Sequence, residues 1–298
     1  MSFDVRGYLD TLKRFGMKPG LGRIRAILDR LGHPERSFRA VHIGGTNGKG
    51  SIASMTAQVL KEAGYTVGLY TSPHLVRYNE RIRIDGEPID DASLEELFEE
   101  VAGAAEDAAR ALGERPTEFE VGTAVAFLHF ARRRVDVAVI EVGLGGRWDA
   151  TNVLEPLAVA LGPISLDHTS VLGSTVREIA SDKVGIFRRG APAVIAPQLA
   201  EAEEVIRAAG EELPCPLWWV REEGGEARGA RATVAFARLG WGVGGGRFDV
   251  ATPRRAYKDL HISLLGEHQL VNAAVSVALV DAAADRGLAV GEEAVRLG

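Results

Sequence analysis

A run of glycines around one lysine, Gly44-Gly45-Thr46-Asn47-Gly48-Lys49-Gly50-Ser51, has the residue types needed to hold a phosphate. Glycines let backbone N–H groups converge on an anion, and a lysine meets the terminal phosphates. The run follows an apolar stretch and precedes a helical pattern, so a helix N-terminus adds partial positive charge. The spacing departs from the eight-residue P-loop, because Ile43 holds the first glycine position and Gly50 the hydroxyl position. We interpret the run as a nucleoside-triphosphate site; the alternative is a glycine-rich turn that binds nothing.

Polar side chains follow three further apolar runs at the point where each run ends: Ser72, Glu141, and Asp167 with His168. The carboxyl ends of strands in an open α/β sheet are where ligands collect, so these side chains are expected in one crevice. A hydroxyl, a carboxylate and an imidazole beside a triphosphate suit Mg²⁺, which prefers oxygen ligands and keeps several waters. The sequence has no Cys/His cluster, which argues against a structural zinc site. For His168 alone, a packed or solvated histidine is the alternative.

The elements that must position these residues are short apolar strands that alternate with helical patterns. Strands are predicted at 39–43, 66–70, 136–140, 157–161 and 193–196, and helices at 52–63, 93–112, 119–133, 175–187 and 199–209. Ser93 with Glu96 predicts a capping box, and Gly64 and Gly210 stand where a left-handed C-terminal cap is favoured. The alternation predicts an α/β fold with a doubly wound, mostly parallel sheet. We interpret this sheet, together with the glycine-lysine run after its first strand, as a P-loop ATPase domain.

Three segments depart from this alternation. Residues 1–38 predict two N-terminal helices, and residues 214–265 are glycine-rich with short alternating stretches that predict antiparallel hairpins at one sheet edge. Residues 266–298 predict two helices, the first running from Asn272 to about Ala284. Residues 1–298 are therefore expected to form one ATP-binding domain with these additions.

Composition excludes several classes of protein. The 298 residues are 46% hydrophobic and 26% charged, which is typical of a globular protein. A net charge of −6 gives no field that would attract nucleic acid or an anionic membrane. The single cysteine excludes an intrachain disulfide, the N-terminus lacks the apolar stretch of a signal peptide, and no run of about 18 apolar residues occurs. We expect a cytoplasmic protein whose partners are small molecules, with neither nucleic acid nor membrane among them.

Three motifs together resemble one known family. They are Gly45 to Ser51, then Thr71-Ser72-Pro73-His74-Leu75 followed by Asn79-Glu80-Arg81-Ile82, and Glu141-Val142-Gly143-Leu144-Gly145-Gly146-Arg147-Trp148-Asp149-Ala150-Thr151-Asn152. Shorter matches, in the same order, extend from Pro19-Gly20-Leu21 to Asn272-Ala273-Ala274. The chain is similar to folylpolyglutamate synthase, which is often bifunctional as dihydrofolate synthase and belongs to the Mur ligase superfamily.

The resemblance implies a role for each matching residue. The nucleotide would be held by Gly45, Thr46, Asn47, Gly48, Lys49, Gly50 and Ser51, with Asn272 at the adenine. Ser72 and Glu141 would hold one Mg²⁺, and Glu141 and His168 a second. Lys183 matches a lysine that the family carbamylates, so Lys49, Glu141, His168 and Lys183 would form the catalytic set. The pterin-side pocket would be lined by Met17, Lys18, Pro19, Thr117, Phe119, Glu120, Trp148, Asp149 and Ala150.

The resemblance also implies a reaction. ATP would phosphorylate the carboxylate of a folate or dihydropteroate, and L-glutamate would then attack the acyl phosphate to form an amide. Other readings stay open: another Mur-type amino-acid ligase, or an ATP-binding module without full ligase turnover. The family continues with a smaller C-terminal ligase domain, which we expect to be absent here, and we expect a monomer. Two positions depart from the family pattern, Asp182 in place of glutamate and Leu161-Gly162-Pro163-Ile164 in place of a more polar stretch.

Overall fold

The described part of the chain forms one sheet of eleven strands. The structure is a computed structural model that describes residues 3–13, 18–223 and 233–298. The strands are β1 Arg39–Gly44, β2 Val67–Tyr70, β3 Ile82–Ile84, β4 Glu87–Pro88, β5 Val137–Glu141, β6 Ala158–Leu161, β7 Ala193–Ile195, β8 Leu217–Glu222, β9 Val234–Gly242, β10 Gly245–Ala251 and β11 Ala256–Ile262. All five strands predicted from apolar runs are present.

The strand order is β11-β10-β9-β8-β7-β6-β1-β5-β2-β3-β4. From β9 to β2 every neighbouring pair is parallel, so the prediction of a mostly parallel sheet is confirmed. The central pairing sets Ile43 of β1 opposite Glu141 of β5. Their carboxyl ends therefore finish at the same edge of the sheet, with β6 on the other side of β1.

Helices cover both faces of this sheet. They are α1 Val5–Lys13, α2 Gly22–Arg30, α3 Lys49–Glu62, α4 Asp91–Leu112, α5 Glu118–Arg132, α6 Thr169–Leu172, α7 Val176–Lys183, α8 Ala200–Glu212, α9 His268–Ala284 and α10 Glu292–Leu297. One face packs against α3 and α9, and the other packs against α2, α4 and α5 beside α7 and α8. The side chains of β1 alternate between the two faces, and because helices cover both faces, they are buried on either side. No helix among the described residues is both long and apolar enough to cross a membrane.

The antiparallel edges differ in part from the prediction. β9, β10 and β11 form an antiparallel meander, as expected for the 214–265 segment. β8, however, pairs in parallel with both β7 and β9, so the beginning of that segment was predicted wrongly. A short antiparallel pair, β3 and β4, closes the opposite edge and was not predicted. Ala232 of the alternating stretch lies outside the described residues.

Two glycines predicted as helix caps have different roles. Gly64 has φ 87° just after α3 and ends that helix in the left-handed conformation, as predicted. Gly210 instead lies inside α8, which continues to Glu212. A Cβ at Gly210 would lie 2.7 Å from Leu217 Cδ1, so this glycine lets the helix approach β8 closely.

The start of α4 also differs from the prediction. Asp90 is the N-cap: its Oδ1 accepts the Ser93 N–H at 2.8 Å, and its Oδ2 accepts the Ser93 hydroxyl at 2.7 Å. The expected capping box from Ser93 to Glu96 is therefore wrong, because Asp90 already supplies the acceptor that a helix start needs one turn earlier. These contacts hold the pKa of Asp90 below its usual range.

Asp90→Ala should lower the free energy of unfolding by about 1 kcal/mol, because it removes the N-cap of the 22-residue helix α4. Ser93→Ala is the matched variant and should cost less, at most about 0.5 kcal/mol, since it removes only one exposed hydroxyl bond. Urea unfolding of both variants measures the difference. A larger loss for Ser93→Ala would restore the capping box as the start signal.

Candidate nucleotide and acceptor site

The phosphate loop, residues 45–48, joins β1 to α3 at the carboxyl edge of the sheet. Gly45 and Gly48 have φ values of 131° and 80°, which side-chain-bearing residues rarely adopt. A Cβ at Gly45 would lie 2.9 Å from the backbone of Gly162, so the loop lies directly against the segment after β6. The first N–H groups of α3 have no intrahelical partners and point at this edge, which makes an anion site.

The segment after β6 fixes the loop. The N–H groups of Thr46 and Asn47 donate to Pro163 O at 3.0 and 3.3 Å. The Thr46 hydroxyl donates to Ser165 O, and Asn47 Nδ2 donates to Ser165 Oγ at 3.3 Å. These two N–H groups are used inside the protein, so the N–H groups of Lys49, Gly50 and Ser51 at the helix start are the ones that face a ligand.

Two lysines converge on one carbonyl of this loop. Lys49 Nζ donates to Gly45 O and to Thr46 O, both at 3.2 Å, and Lys183 Nζ donates to Gly45 O at 2.9 Å. Lys183 is 3% exposed and ends α7. Burial, together with the charge of Lys49, lowers the pKa of Lys183 to about 8. The sequence placed both residues at the site, and the structure brings them to the same atom.

Glu141 is a buried carboxylate at the end of β5. Its Oε2 accepts the N–H of Ser72 at 3.1 Å and would lie 3.7 Å from a Cβ at Gly50, so it faces both the 71–73 segment and the start of α3. Burial raises its pKa from 4.5 to about 7, against the Ser72 hydrogen bond and the charge of Lys49. A cation near this carboxylate would relieve the cost of its burial.

His168 lies on the loop that follows β6 and lines a cavity together with Lys49 and Ser72. It adopts φ 48° just before α6, and its side chain is more than half exposed, 3.6 Å from Asp167. Among the described residues, no three His, Cys, Asp or Glu side chains are grouped so that they could hold a metal ion. A Mg²⁺ ion that is bound partly by substrate phosphates usually takes only one or two carboxylates from the protein.

A cavity of about 510 Å³ opens next to the phosphate loop. It contains most of the residues predicted for the pterin-side pocket together with residues of the nucleotide site. Its lining includes Lys18, Pro19, Lys49, Ser72, Pro73, Arg81, Thr117, Phe119, Glu120, Gly143, Leu144, Trp148, Asp149, Ala150, His168 and Asp182. Met17, also predicted for this pocket, lies outside the described residues. A second cavity, of about 380 Å³, contains Glu141, Gly48, Gly50 and Ser51 and shares Ser72 and Pro73 with the first.

Thr117, Phe119 and Glu120 form the start of α5 in the larger cavity. Thr117 and Glu120 make a reciprocal capping box, in which Thr117 N donates to Glu120 Oε2 at 2.7 Å. Glu120 also accepts from Arg23 Nε at 3.2 Å in a buried ion pair. These contacts hold the Glu120 carboxylate in place in the cavity wall. Phe119 packs against Gly143, where a Cβ would collide with its ring.

Trp148, Asp149 and Ala150 form the opposite wall. Trp148 is half exposed, whereas Asp149 is 6% exposed. Asp149 Oδ2 accepts the N–H of Leu144, and its Oδ1 accepts the N–H of Thr151, both at 2.9 Å. Burial raises the pKa of Asp149. A buried carboxylate beside aromatic rings is suited to a planar ligand with N–H donors.

Asn272 contacts the phosphate loop from α9. Its Nδ2 donates to Gln269 Oε1 at 2.9 Å, and a Cβ at Gly48 would collide with its side chain. Arg81, in the motif Asn79-Glu80-Arg81-Ile82, also lines the larger cavity and had no predicted role. Arg81 Nε donates to His74 Nδ1 at 2.9 Å, and its guanidinium lies 4.8 Å from the centre of the Tyr78 ring. A positive charge is therefore fixed in the cavity wall.

Comparisons with known proteins agree with this geometry. A family model for the Mur ligase middle domain matches residues 43–280. The dihydrofolate synthase/folylpolyglutamate synthase of Bacillus subtilis is 40% identical over 297 residues, which are 99% of this chain and 67% of that protein.

Solved structures give the same result. Mycobacterium tuberculosis folylpolyglutamate synthase complexed with ADP and AMPPCP matches with a TM-score of 0.85 and 36% identity, over 98% of this chain and 64% of that one. A structure described as an FPGS-AMPPCP-folate complex matches with a TM-score of 0.86 and 36% identity, over 98% and 69%. This chain thus spans about two thirds of the length of these relatives. With the loop, the buried acid and the second cavity in one arrangement, the chain belongs to the Mur ligase family and, within it, to the folylpolyglutamate synthase/dihydrofolate synthase group.

Proposed function

We propose that this chain binds ATP and a folate-type acid and activates that acid for ligation to L-glutamate. The observation that carries the proposal is that two cavities adjoin. The smaller cavity contains the start of α3, and the larger one is lined by Phe119, Trp148 and Asp149. Ser72 and Pro73 line both cavities. A terminal phosphate and an acceptor carboxylate are thereby brought to one place.

The chemistry follows from this placement. An acceptor carboxylate oxygen attacks the γ-phosphorus of ATP, the bond from that phosphorus to the β,γ-bridging oxygen breaks, and ADP leaves. The amine nitrogen of glutamate then forms a bond to the acyl carbon. The bond from that carbon to the phosphate oxygen breaks, phosphate leaves with this oxygen and its electron pair, and the nitrogen loses a proton. Lys49 neutralises charge on the phosphate oxygens, and the N–H groups of the first turn of α3 orient them.

Magnesium fits the residues present. The raised pKa of Glu141 indicates a buried charge with too little compensation, and Ser72, whose N–H donates to this carboxylate, carries a hydroxyl as a further oxygen ligand. We assign Ser72 and Glu141 to one Mg²⁺ and Glu141 with His168 to a second. When bound, Mg²⁺ supplies positive charge to the phosphate oxygens. Glu141 also orients the 71–73 segment, because it accepts the Ser72 N–H.

Lys183 is proposed to be carbamylated. A neutral amine is needed to add CO₂, and burial with the nearby Lys49 charge supplies it by lowering the pKa of Lys183 to about 8. The carbamate is an anion, which would be stabilised by Lys49 and by a bound metal. Asp182, next to Lys183 and half-buried, keeps the acidic character of the position where the family pattern has glutamate.

Trapping of the activated acid tests the function. Incubation with Mg-ATP, dihydropteroate or tetrahydrofolate, and hydroxylamine should give a hydroxamate of the acceptor by mass spectrometry, without any need for glutamate. Lys49→Ala should reduce the yield at least about tenfold, because a charge-assisted contact worth about 1.5–3 kcal/mol is lost. Lys61→Ala, on the exposed side of the same helix, is the control and should be neutral. Absence of hydroxamate, with both ligands bound, would contradict an acyl-phosphate reaction.

Glu141→Gln should have opposite effects on stability and on binding. The native carboxyl keeps its proton up to about pH 7, whereas the unfolded one releases it near 4.5, so the ionised group costs stability as the pH rises through this window. Without metal at pH 8, the variant should be more stable than the parent by at least about 1 kcal/mol. Its Mg-ATP affinity should be lower, and the rise in affinity from pH 6 to pH 8 should flatten. Thermal unfolding and calorimetry measure both, and equal Mg-ATP affinity at pH 8 would remove Glu141 from the metal site.

Carbamylation should be visible by ¹³C NMR after addition of ¹³C-bicarbonate. A carbamate signal is expected to grow between pH 7 and pH 9, as the amine of Lys183 loses its proton near pH 8. Lys183→Arg should abolish the signal, because a guanidinium does not deprotonate in this range. Lys61→Arg is the control. A signal that persists in Lys183→Arg would place the carbamate on another amine.

A further inference from the structure

His42 is a fully buried histidine in the middle of the central strand β1. Strand alternation puts it on the face of the sheet that packs against α5, with Ala40 as its neighbour on that face. Its Nε2 lies 2.8 Å from Thr151 Oγ1, and its Nδ1 is buried without a hydrogen-bond partner. Burial lowers the pKa of His42 to about 3, so the ring is neutral near pH 7. A buried ring nitrogen without a partner lowers the stability of the fold, and an apolar side chain at this position would not have this effect.

The contacts around Thr151 define the direction of each hydrogen bond. The Thr151 hydroxyl donates to Asp149 Oδ1, which also accepts the Thr151 N–H at 2.9 Å. Asp149 Oδ2 accepts the Leu144 N–H, so both carboxylate oxygens act as acceptors. The single hydroxyl proton of Thr151 is therefore used, and His42 must be the donor, with its proton on Nε2.

The result is a chain of three side chains from the core to the cavity: His42 Nε2–H to Thr151 Oγ1, and Thr151 Oγ1–H to Asp149 Oδ1. His42 and Thr151 are fully buried, and Asp149 lines the larger cavity. The far side of the same turn is held by Arg188, whose guanidinium donates to Asn152 O and Oδ1 at 2.9 Å. The turn that carries Asp149 is thus fixed from both sides.

We propose that His42 is a positioning residue for the acceptor pocket, which acts through Thr151 to hold the Asp149 carboxylate in the orientation that binds the acceptor. His42 does not line the cavity. Its donated proton polarises the Thr151 hydroxyl and prevents the rotation that would release Asp149. The inference rests on the proposed function, because it takes the acceptor to bind beside Asp149.

Variants of Thr151 test the relay with little change of shape. Thr151→Val removes the hydroxyl at nearly constant volume and should weaken binding of dihydropteroate about fivefold, the equivalent of one net hydrogen bond. Thr151→Ser restores the hydroxyl and should bind as the parent does. Mg-ATP affinity, measured by calorimetry on the same samples, should stay unchanged in both.

Variants of His42 test its part separately. His42→Gln keeps a donor near the Nε2 position and should retain acceptor affinity, whereas His42→Leu should weaken it about fivefold. The double variant His42→Leu/Thr151→Val should lose no more than Thr151→Val alone, because both act on the same carboxylate. Additive losses, or equal losses of acceptor and Mg-ATP affinity, would make His42 a general stability residue and overturn the proposal.

A spectroscopic readout does not depend on ligand binding or on the fold of a variant. The ¹⁵N NMR signals of His42 in the unmodified protein should show a protonated Nε2 and an unprotonated Nδ1 at pH 7. The opposite tautomer would overturn the relay. Asp149→Asn separates the two levels of inference: if it leaves dihydropteroate affinity unchanged, the acceptor pocket is wrongly assigned. If it weakens binding while Thr151→Val does not, the relay alone fails.

Discussion

The parallel pairing of β1 with β5 is the constraint on which the site depends. Because the two strands run in the same direction and end in register at Ile43 and Glu141, the phosphate loop and a buried acid emerge at one edge of the sheet. Two ionisable side chains at this edge, Glu141 and Lys183, are buried in surroundings that disfavour their charged forms. Glu141 is an acid whose burial raises its pKa, and Lys183 is a base whose burial lowers its pKa. Burial thus disfavours the charged form of both groups, which makes this edge of the sheet a place where a bound ligand changes their ionisation.

Much of the fold was predictable because it depends on local patterns. Short runs of β-branched residues identified the five central strands, and the order strand, glycine loop, lysine, helix identified the phosphate loop. Gly64 was predicted correctly as a cap, since the end of α3 is set by its own residues. Gly210 was not, because its role is to admit the Leu217 side chain from β8, a contact distant in space that no local pattern contains. The parallel pairing of β8 with β9 is likewise a matter of topology.

In the candidate site, too, features that depend on local patterns were predictable and features that depend on distant contacts were not. Residue types and positions located Lys49, Ser72, Glu141 and the 148–150 wall, and the structure places them around two adjoining cavities. The hydrogen-bond and ion-pair partners of these side chains could not be predicted from the sequence. Glu120 was predicted for the acceptor pocket and lines the larger cavity, but nothing in its motif indicates the ion pair with Arg23, 97 residues earlier. His42 drew no attention in an apolar strand, because a histidine there becomes informative only when Thr151, more than a hundred residues later, is seen beside it.

The phosphate loop is held by main-chain hydrogen bonds to Pro163, and the side chain of Pro163 takes no part in them. Thr46 and Asn47 donate to the main-chain carbonyl of Pro163, and any residue at that position presents the same oxygen. The loop therefore depends on the path of the chain after β6, and the residue type is constrained at Gly162, where a Cβ would lie 2.5 Å from Asn47 O. This explains how Leu161-Gly162-Pro163-Ile164 can replace a more polar stretch and still leave the loop in place. A change of residue type at Pro163 is then no measure of a change in the geometry of the loop, because the two bonds to its main-chain oxygen would remain.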